Sequence, residues 1–224
     1  MMPSDHIAVD VQQLLAFFDE EAPGSAGHAT SLVAVAGEDL GAALLLHYLQ
    51  SVGTDAEVLP ERCTQGTKKG PRLDRWVLAR SMTGRVLYQV EIKNWSAHAI
   101  GGKTLSKDAS ADALRAYKIE RWSSYWTGAQ FRNESVRKVL IPMRSPRPQI
   151  PVEPLVCFWT ALHPDGHEAP LFSVPLPSDE HFSRVWVFSM SSYLRSIREP
   201  TLVLRMPEVA QRYTWLTRLF RITG

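Results

Sequence analysis

The sequence predicts an α/β domain with a mixed β-sheet. A segment with helical apolar spacing precedes three short strand-like segments, and a second helical segment and further strands follow, which gives the order α, β, β, β, α, β. Helices interleaved with strands in this way are typical of a layered α/β domain rather than an all-α or all-β one. The chain has 224 residues, of which 45% are hydrophobic and 21% charged, as expected for a folded globular protein.

The helical segments are marked by apolar residues three or four positions apart. Gly53 is expected to end the second of them, and Pro207 fits the first turn of the last one. The helices predicted in this way cover residues 11–20, 30–50, 110–130 and 191–197, with a closing helix from Pro207 onwards.

The strand segments are short apolar runs rich in β-branched and aromatic residues. Thr83 and Gly84 supply a tight turn between the second and third of them, and prolines exclude a helix between residues 142 and 154. The predicted strands cover residues 56–59, 73–79, 86–95, 136–143, 155–162, 171–174, 185–188 and 201–204.

These elements predict an N-terminal helical segment at 1–29, a core at 30–162 and a C-terminal α/β elaboration at 163–224 that packs on the core. No apolar run reaches the roughly 20 residues of a membrane span, so no membrane partner is expected. Cys63 and Cys157 have no nearby cysteine partner, which favours free thiols in a reducing cytoplasm.

The net charge of +2 conceals a steep gradient along the chain. Residues 1–59 carry nine acidic residues and no lysine or arginine, so the rest of the chain holds all 25 bases against 14 acids. From Arg115 onwards 13 of 15 bases are arginine, which binds phosphate through a planar, bidentate fork. This charge distribution favours a polyanionic partner, although a solvated basic face would produce it as well.

One strand carries charge in an otherwise apolar setting. Gln89, Glu91 and Lys93 alternate along it and therefore share a face, while Val90 and Ile92 point the other way. Asp74 lies at the mouth of the hairpin, on the strand next to that of Glu91, which would place its carboxylate within the roughly 5 Å cross-strand range of Glu91. Two such carboxylates can form a Mg²⁺ site, and an adjacent lysine can stabilise an anionic transition state.

These residues resemble the PD-(D/E)XK, or restriction-endonuclease-like, nuclease superfamily. The resemblance rests on Asp74, a 16-residue gap and Glu91-x-Lys93 within an αβββαβ order, and it covers about residues 30–145. Gly37-Glu38-Asp39-Leu40 is similar to the opening helix of Holliday-junction-resolvase-like and Mrr-like members. Pro71 lies three positions before Asp74 instead of beside it, and a clear Gln-x-x-x-Tyr motif is missing from the second helix.

The resemblance implies a restriction-endonuclease-like αβββαβ core and a Mg²⁺- or Mn²⁺-dependent endonuclease that hydrolyses DNA in defence, recombination or repair. By resemblance, Asp74, Glu91 and the Ile92 carbonyl hold the metal, Glu38 completes the site, and Lys93 positions the attacking water. RNA is not excluded as a substrate, and a homodimer or an accessory motor or recognition subunit is expected. Residues predicted to contact nucleic acid are Lys68, Lys69, Gln89, Lys103, Arg115, Lys118 and Arg121.

Other interpretations remain open. Glu91 and Lys93 would also fit a surface ion pair on an edge strand, a catalytically inactive nuclease fold that binds nucleic acid or a protein, or a structural subunit of a larger complex. The segment His163-Pro-Asp165-Gly-His167 alternates like a set of metal ligands, but Pro-Asp-Gly between two strands is typical of a turn.

Overall fold

The structure, a computed structural model, describes residues 5–19, 32–66, 70–93, 111–127, 136–176 and 179–219. Within these ranges the fold is mixed α/β, as predicted, with five α-helices. The helices are α1 (Val11–Asp19), α2 (Glu38–Ser51), α3 (Ala111–Thr127), α4 (Met190–Ser196) and α5 (Pro207–Leu219). The strands are β1 (His6–Asp10), β2 (Asp55–Val58), β3 (Arg75–Ser81), β4 (Gly84–Ile92), β5 (Val152–Phe158), β6 (Leu171–Pro175), β7 (Arg184–Ser189) and β8 (Thr201–Arg205).

Six strands form a mixed sheet in the order β2-β3-β4-β5-β7-β6. The strands β2, β3 and β4 are antiparallel neighbours, β5 and β7 run parallel to β4, and β6 closes the sheet antiparallel to β7. The connection from β4 to the parallel β5 contains α3, as a crossover between parallel strands requires. From α2 to β5 the elements follow the order α, β, β, β, α, β, but the last of them is β5 and not the predicted strand at 136–143.

The sheet separates two hydrophobic cores. On one face, Val90 and Ile92 of β4 pack in a core with residues of α1, α2 and α4. On the other face, Leu87 lies in a core with Trp122 and Trp126 of α3. Alternate residues of β4 therefore serve different layers, as the period of a strand requires.

A second, two-stranded sheet joins the two ends of the described chain. Strand β1, which sequence periodicity did not predict, pairs antiparallel with β8, so that His6 lies opposite Arg205. Helix α5 follows directly, and its first turn lies beside α2, where the Asp39 side chain accepts hydrogen bonds from the backbone N–H groups of Glu208 and Val209 at 2.9 and 3.1 Å. The N-terminus of α5 is thus capped by a residue of another helix.

The predicted strand at 136–143 is wrong. Residues 136–140 form a turn, in which Val139 N–H donates to the Val136 carbonyl at 2.9 Å. Gln89 of β4 replaces the missing ladder: its amide nitrogen donates to the carbonyls of Val139 and Ile141, and its oxygen accepts from Met143 N–H. A side chain therefore satisfies the backbone groups that a neighbouring strand would otherwise bind.

Candidate functional site

The candidate site lies where β3 begins and β4 ends. Arg75 pairs with Val90 in the hairpin, so Asp74, one residue earlier, comes beside Glu91. Asp74 N–H donates to the Val90 carbonyl at 3.0 Å, and its carboxylate Oδ2 accepts from Ile92 N–H at 2.6 Å. The Asp74 side chain thus continues the ladder past the end of β3, which fixes its position against β4.

Glu91 is a buried carboxylate held between two lysines. The residue is 1% exposed, and its Oε1 lies 2.6 Å from Lys93 Nζ. Lys138, from the turn after α3, places its Nζ 2.9 Å from Oε1 and 3.2 Å from Oε2. Burying a carboxylate is costly unless it is paired, and here two ammonium groups share that role.

The environment of Asp74 shifts its titration towards neutral pH. Burial is the largest cause, and together with the negative charges of Glu91 and Glu38 it raises the pKa of Asp74 to about 6. The hydrogen bond from Ile92 N–H and the charge of Lys138 act in the opposite direction but do not outweigh it. Three carboxylates thus interact at one place, an arrangement typical of functional sites.

Glu38 approaches from α2, as expected of a residue early in that helix. It is the first residue of α2 and follows directly on a π-helical turn, Val33–Gly37, a rare element that is frequent at functional sites. Arg75 bridges it to the closing helix: one guanidinium nitrogen lies 3.4 Å from Glu38 Oε2 and another 2.5 Å from Glu208 Oε1. Arg75 is therefore a neutralising partner of Glu38.

Sequence reasoning missed Lys138, Arg75 and Glu208. The contact between Lys138 and Glu91 spans 47 positions, and the contact between Arg75 and Glu208 spans 133. The available signal for Lys138 was a lysine beside Arg137 in a segment that also holds Val136, Val139 and Leu140, in a region whose bases are otherwise almost all arginine. A buried Glu91 also requires more positive charge than one half-exposed lysine supplies.

The predicted nucleic-acid contacts fare differently. The prediction that Gln89 contacts nucleic acid is wrong, because its side chain is fully buried. Its amide group forms hydrogen bonds with the backbone of residues 139–143. Arg121 lies half-buried on α3, with its guanidinium carbon 5.9 Å from the centre of the Tyr117 ring. Outside the described residues lie Lys68, Lys69 and Lys103, together with the side chains of Arg115 and Lys118 on α3.

A cavity of about 660 Å³ opens beside Asp74. Its walls come from α2, β2, the segment after β2, and the junction of β8 with α5. Basic and acidic groups both line it, among them Arg62, Arg75, Arg205 and Glu61. Asp74 is thus one of the residues that line this cavity, whereas Glu91, Lys93 and Lys138 do not line it.

The donor set fits a hard divalent cation. Asp74 and Glu91 offer carboxylate oxygens, the ligands that Mg²⁺ prefers. In a strand the N–H and C=O of one residue point to the same side, so the Ile92 carbonyl projects towards β3, as its N–H does. A dication here would relieve the repulsion that raises the pKa of Asp74. It would also have to share Glu91 with Lys93 and Lys138.

Comparison with known proteins finds no relative: no family model matches the chain, and no curated protein or solved structure matches it significantly. Among the described residues, no helix is both long enough and apolar enough to cross a membrane.

Proposed function

We propose that this protein is a metal-dependent nuclease that cleaves phosphodiester bonds in DNA. The observation that carries the proposal is the meeting of Asp74, Glu91 and Lys93 at the end of one hairpin, with Glu38 close enough to influence the pKa of Asp74. The elements from α2 to β5 support a restriction-endonuclease-like core, because three antiparallel strands lie between two helices and β5 runs parallel to β4.

In this proposal Asp74, Glu91 and the Ile92 carbonyl hold Mg²⁺ or Mn²⁺, and Glu38 binds it directly or through water. The metal supplies Lewis-acid activation of water and of the phosphoryl oxygens. Lys93 has a different task, since an ammonium group has three donors and no lone pair. Its Nζ, anchored on Glu91 at 2.6 Å, can donate to the attacking water and to a phosphate oxygen that gains negative charge.

DNA as the substrate is supported by charge and by site chemistry. The chain after position 59 holds all 25 basic residues, which outnumber the acidic residues there by 11. This excess of positive charge suits binding to a phosphate backbone. RNA, a homodimeric assembly, a motor or recognition subunit and a cytoplasmic location remain predictions.

The direct test incubates supercoiled plasmid, linear duplex, single-stranded DNA and RNA with the protein in Mg²⁺, Mn²⁺ or EDTA. Cleavage of DNA that requires the metal and disappears in D74N and E91Q supports the proposal. The matched control is E153Q, which changes a carboxylate on the adjacent strand β5 and leaves the site untouched. Cleavage at wild-type rates by both D74N and E91Q would overturn the assignment.

One observation favours a second function, that of a catalytically inactive nuclease fold that binds nucleic acid or a partner protein. Lys93 and Lys138 together neutralise Glu91 without any metal, as in a purely structural ion cluster. Such a binder would retain its affinity for DNA in EDTA and leave every substrate intact.

A further inference from the structure

The turn between β5 and β6 brings three potential metal ligands together. In the sequence His163-Pro164-Asp165-Gly166-His167, the ligand atoms of the two histidines and the aspartate all lie within 4.8 Å of one another. In the part of the chain that the structure describes, no other three histidine, cysteine or acidic residues meet this condition. The turn lies outside the Asp74–Glu91 site, and the proposed nuclease makes no use of it.

The backbone holds this turn in a defined shape. His163 N–H donates to the His167 carbonyl at 3.0 Å, and Gly166 N–H donates to the His163 carbonyl at 2.8 Å. Gly166 has φ +83°, which a residue with a side chain rarely adopts, and the Cβ of such a residue would lie 3.0 Å from Ile119 of α3. Helix α3 thus supports the turn from behind.

The spacing between His163 and Asp165 matches that of two ligands on one ion. His163 Nδ1 lies 3.2 Å from Asp165 Oδ2 and also 3.2 Å from Asp165 N–H. With metal–ligand bonds of about 2.0–2.1 Å, two ligands at the tetrahedral angle are separated by about 3.3 Å. The Nδ1 atom of His163 thus lies equally far from a donor, the Asp165 N–H, and an acceptor, the Asp165 carboxylate. A cation bound between Nδ1 and the carboxylate would replace the hydrogen bond from the N–H.

His167 completes the set with little reorganisation. The rings of His163 and His167 are stacked, with centroids 4.3 Å apart and planes 25° apart, and His163 is fixed from another side by Phe172. His167 is exposed, so rotation of its side chain can direct a ring nitrogen at an ion held by His163 and Asp165. A turn alone would explain Pro-Asp-Gly, but it does not require an imidazole on either side.

We propose that His163, Asp165 and His167 bind a transition-metal dication of the Zn²⁺ class. Imidazole nitrogens select Zn²⁺, Ni²⁺ or Cu²⁺ over Mg²⁺, so this site differs in chemistry from the oxygen-only set at Asp74 and Glu91. Three protein ligands leave one position of a tetrahedral ion for water or an external ligand.

The test is calorimetric titration of the tag-free protein with ZnCl₂ and, separately, with MgCl₂ at neutral pH. We expect one Zn²⁺ per chain at this turn, with an affinity that falls by about tenfold or more in H167A as a ligand is lost. H181A is the matched control, because His181 is an exposed histidine two residues after an aspartate and outside the cluster.

The variants D74N and E91Q separate this site from the proposed nuclease centre. Zn²⁺ binding that persists in both, and weakens in H167A and D165N, supports the proposal whether or not the protein cleaves DNA. The proposal fails if Zn²⁺ does not bind, if H167A and D165N bind it like the wild type, or if the binding is lost only in D74N and E91Q. Circular dichroism of each variant confirms that its fold is retained.

Discussion

Two carboxylate sites on the same sheet have opposite electrostatic characters. Glu153 of β5 receives two hydrogen bonds from Arg184, at 2.8 and 2.6 Å, and a third from the Trp186 indole. Burial alone would raise the pKa of Glu153, but these bonds outweigh it and lower the pKa. At Asp74, burial and the neighbouring carboxylates outweigh the hydrogen bond from Ile92 N–H and the charge of Lys138, so the pKa of Asp74 rises to about 6.

The difference separates a carboxylate paired with its own arginine from a carboxylate, Asp74, that lies beside other carboxylates without a cationic partner of its own in the described part of the chain. Arginine meets Glu153 with a bidentate fork, the geometry typical of structural carboxylate pairing. Glu91 is met by two lysines, which act as single-point donors and are easier to displace. Asp74 has no lysine or arginine partner within ion-pair distance among the described residues, and it accepts only a backbone N–H there. Mutual repulsion of this kind is what a divalent cation relieves.

The largest expected effect comes from removing the cation of each site. K93A should lower the rate of DNA cleavage by about 10²–10³-fold, since it removes a donor aimed at developing charge, while divalent-ion binding measured by calorimetry persists. R184A should behave in the opposite way, with normal cleavage and reduced thermal stability. Full activity of K93A would remove the nuclease proposal.

Replacing the carboxylates should change stability in opposite directions. In metal-free buffer at pH 7, D74N is expected to raise the free energy of unfolding by about 1–3 kcal/mol, because it removes a charge whose pKa is raised and keeps an acceptor for Ile92 N–H. E153Q should lower it by about 1–3 kcal/mol, because charge-assisted hydrogen bonds are lost. Urea denaturation of the two variants measures both values, and equal signs would contradict the comparison.

The pH dependence sharpens the same contrast. The folded-state pKa of Asp74 is raised from 3.8 to about 6, so wild-type stability relative to D74N should fall as the pH rises between these values and then level off. The pKa of Glu153 is lowered below 4.5, so wild-type stability relative to E153Q should be full above 4.5 and disappear as the pH falls below it. Urea denaturation at a series of pH values from about 3.5 to about 8 spans these pKa values and measures the stability difference between the wild type and each variant. A difference for D74N that does not vary with pH would refute the raised pKa.

The sequence predicted the site best where its contacts are local. The Asp74–Glu91 pairing depends on one hairpin, whose register follows from the turn at Gly84 and the alternation along β4. Lys138 could not be placed, because its approach to Glu91 depends on how residues 136–143 pack. Those residues were mistaken for a strand because Val136, Val139 and Leu140 are apolar and buried, which a turn inside a core also requires.

Strand β1 escaped detection for a related reason. Its five residues are too short for a convincing period, and its partner β8 begins with Thr201, almost 200 positions further along the chain. Glu38 was proposed as a site residue from the resemblance of the opening helix, and its charge contributes to the raised pKa of Asp74. The ion pair between Glu38 and Arg75 was not predicted, because it depends on how α2 docks against the start of β3.

The smallest expected effect concerns Lys138, which contacts both carboxylate oxygens of Glu91. Its Nζ lies within 3.2 Å of both carboxylate oxygens, so a dication must displace it or share Glu91 with it. K138M should therefore strengthen Mn²⁺ binding by about three- to fivefold, which corresponds to the roughly 1 kcal/mol of a partly exposed ion pair. The change is small because the Lys138 side chain is 41% exposed and can turn into solvent when the metal arrives. K138R keeps the charge and should bind Mn²⁺ like the wild type in the same calorimetric titration. Weaker binding in K138M would mean that Lys138 supports the carboxylate instead of competing for it, and Glu91 would then resemble Glu153 more than Asp74.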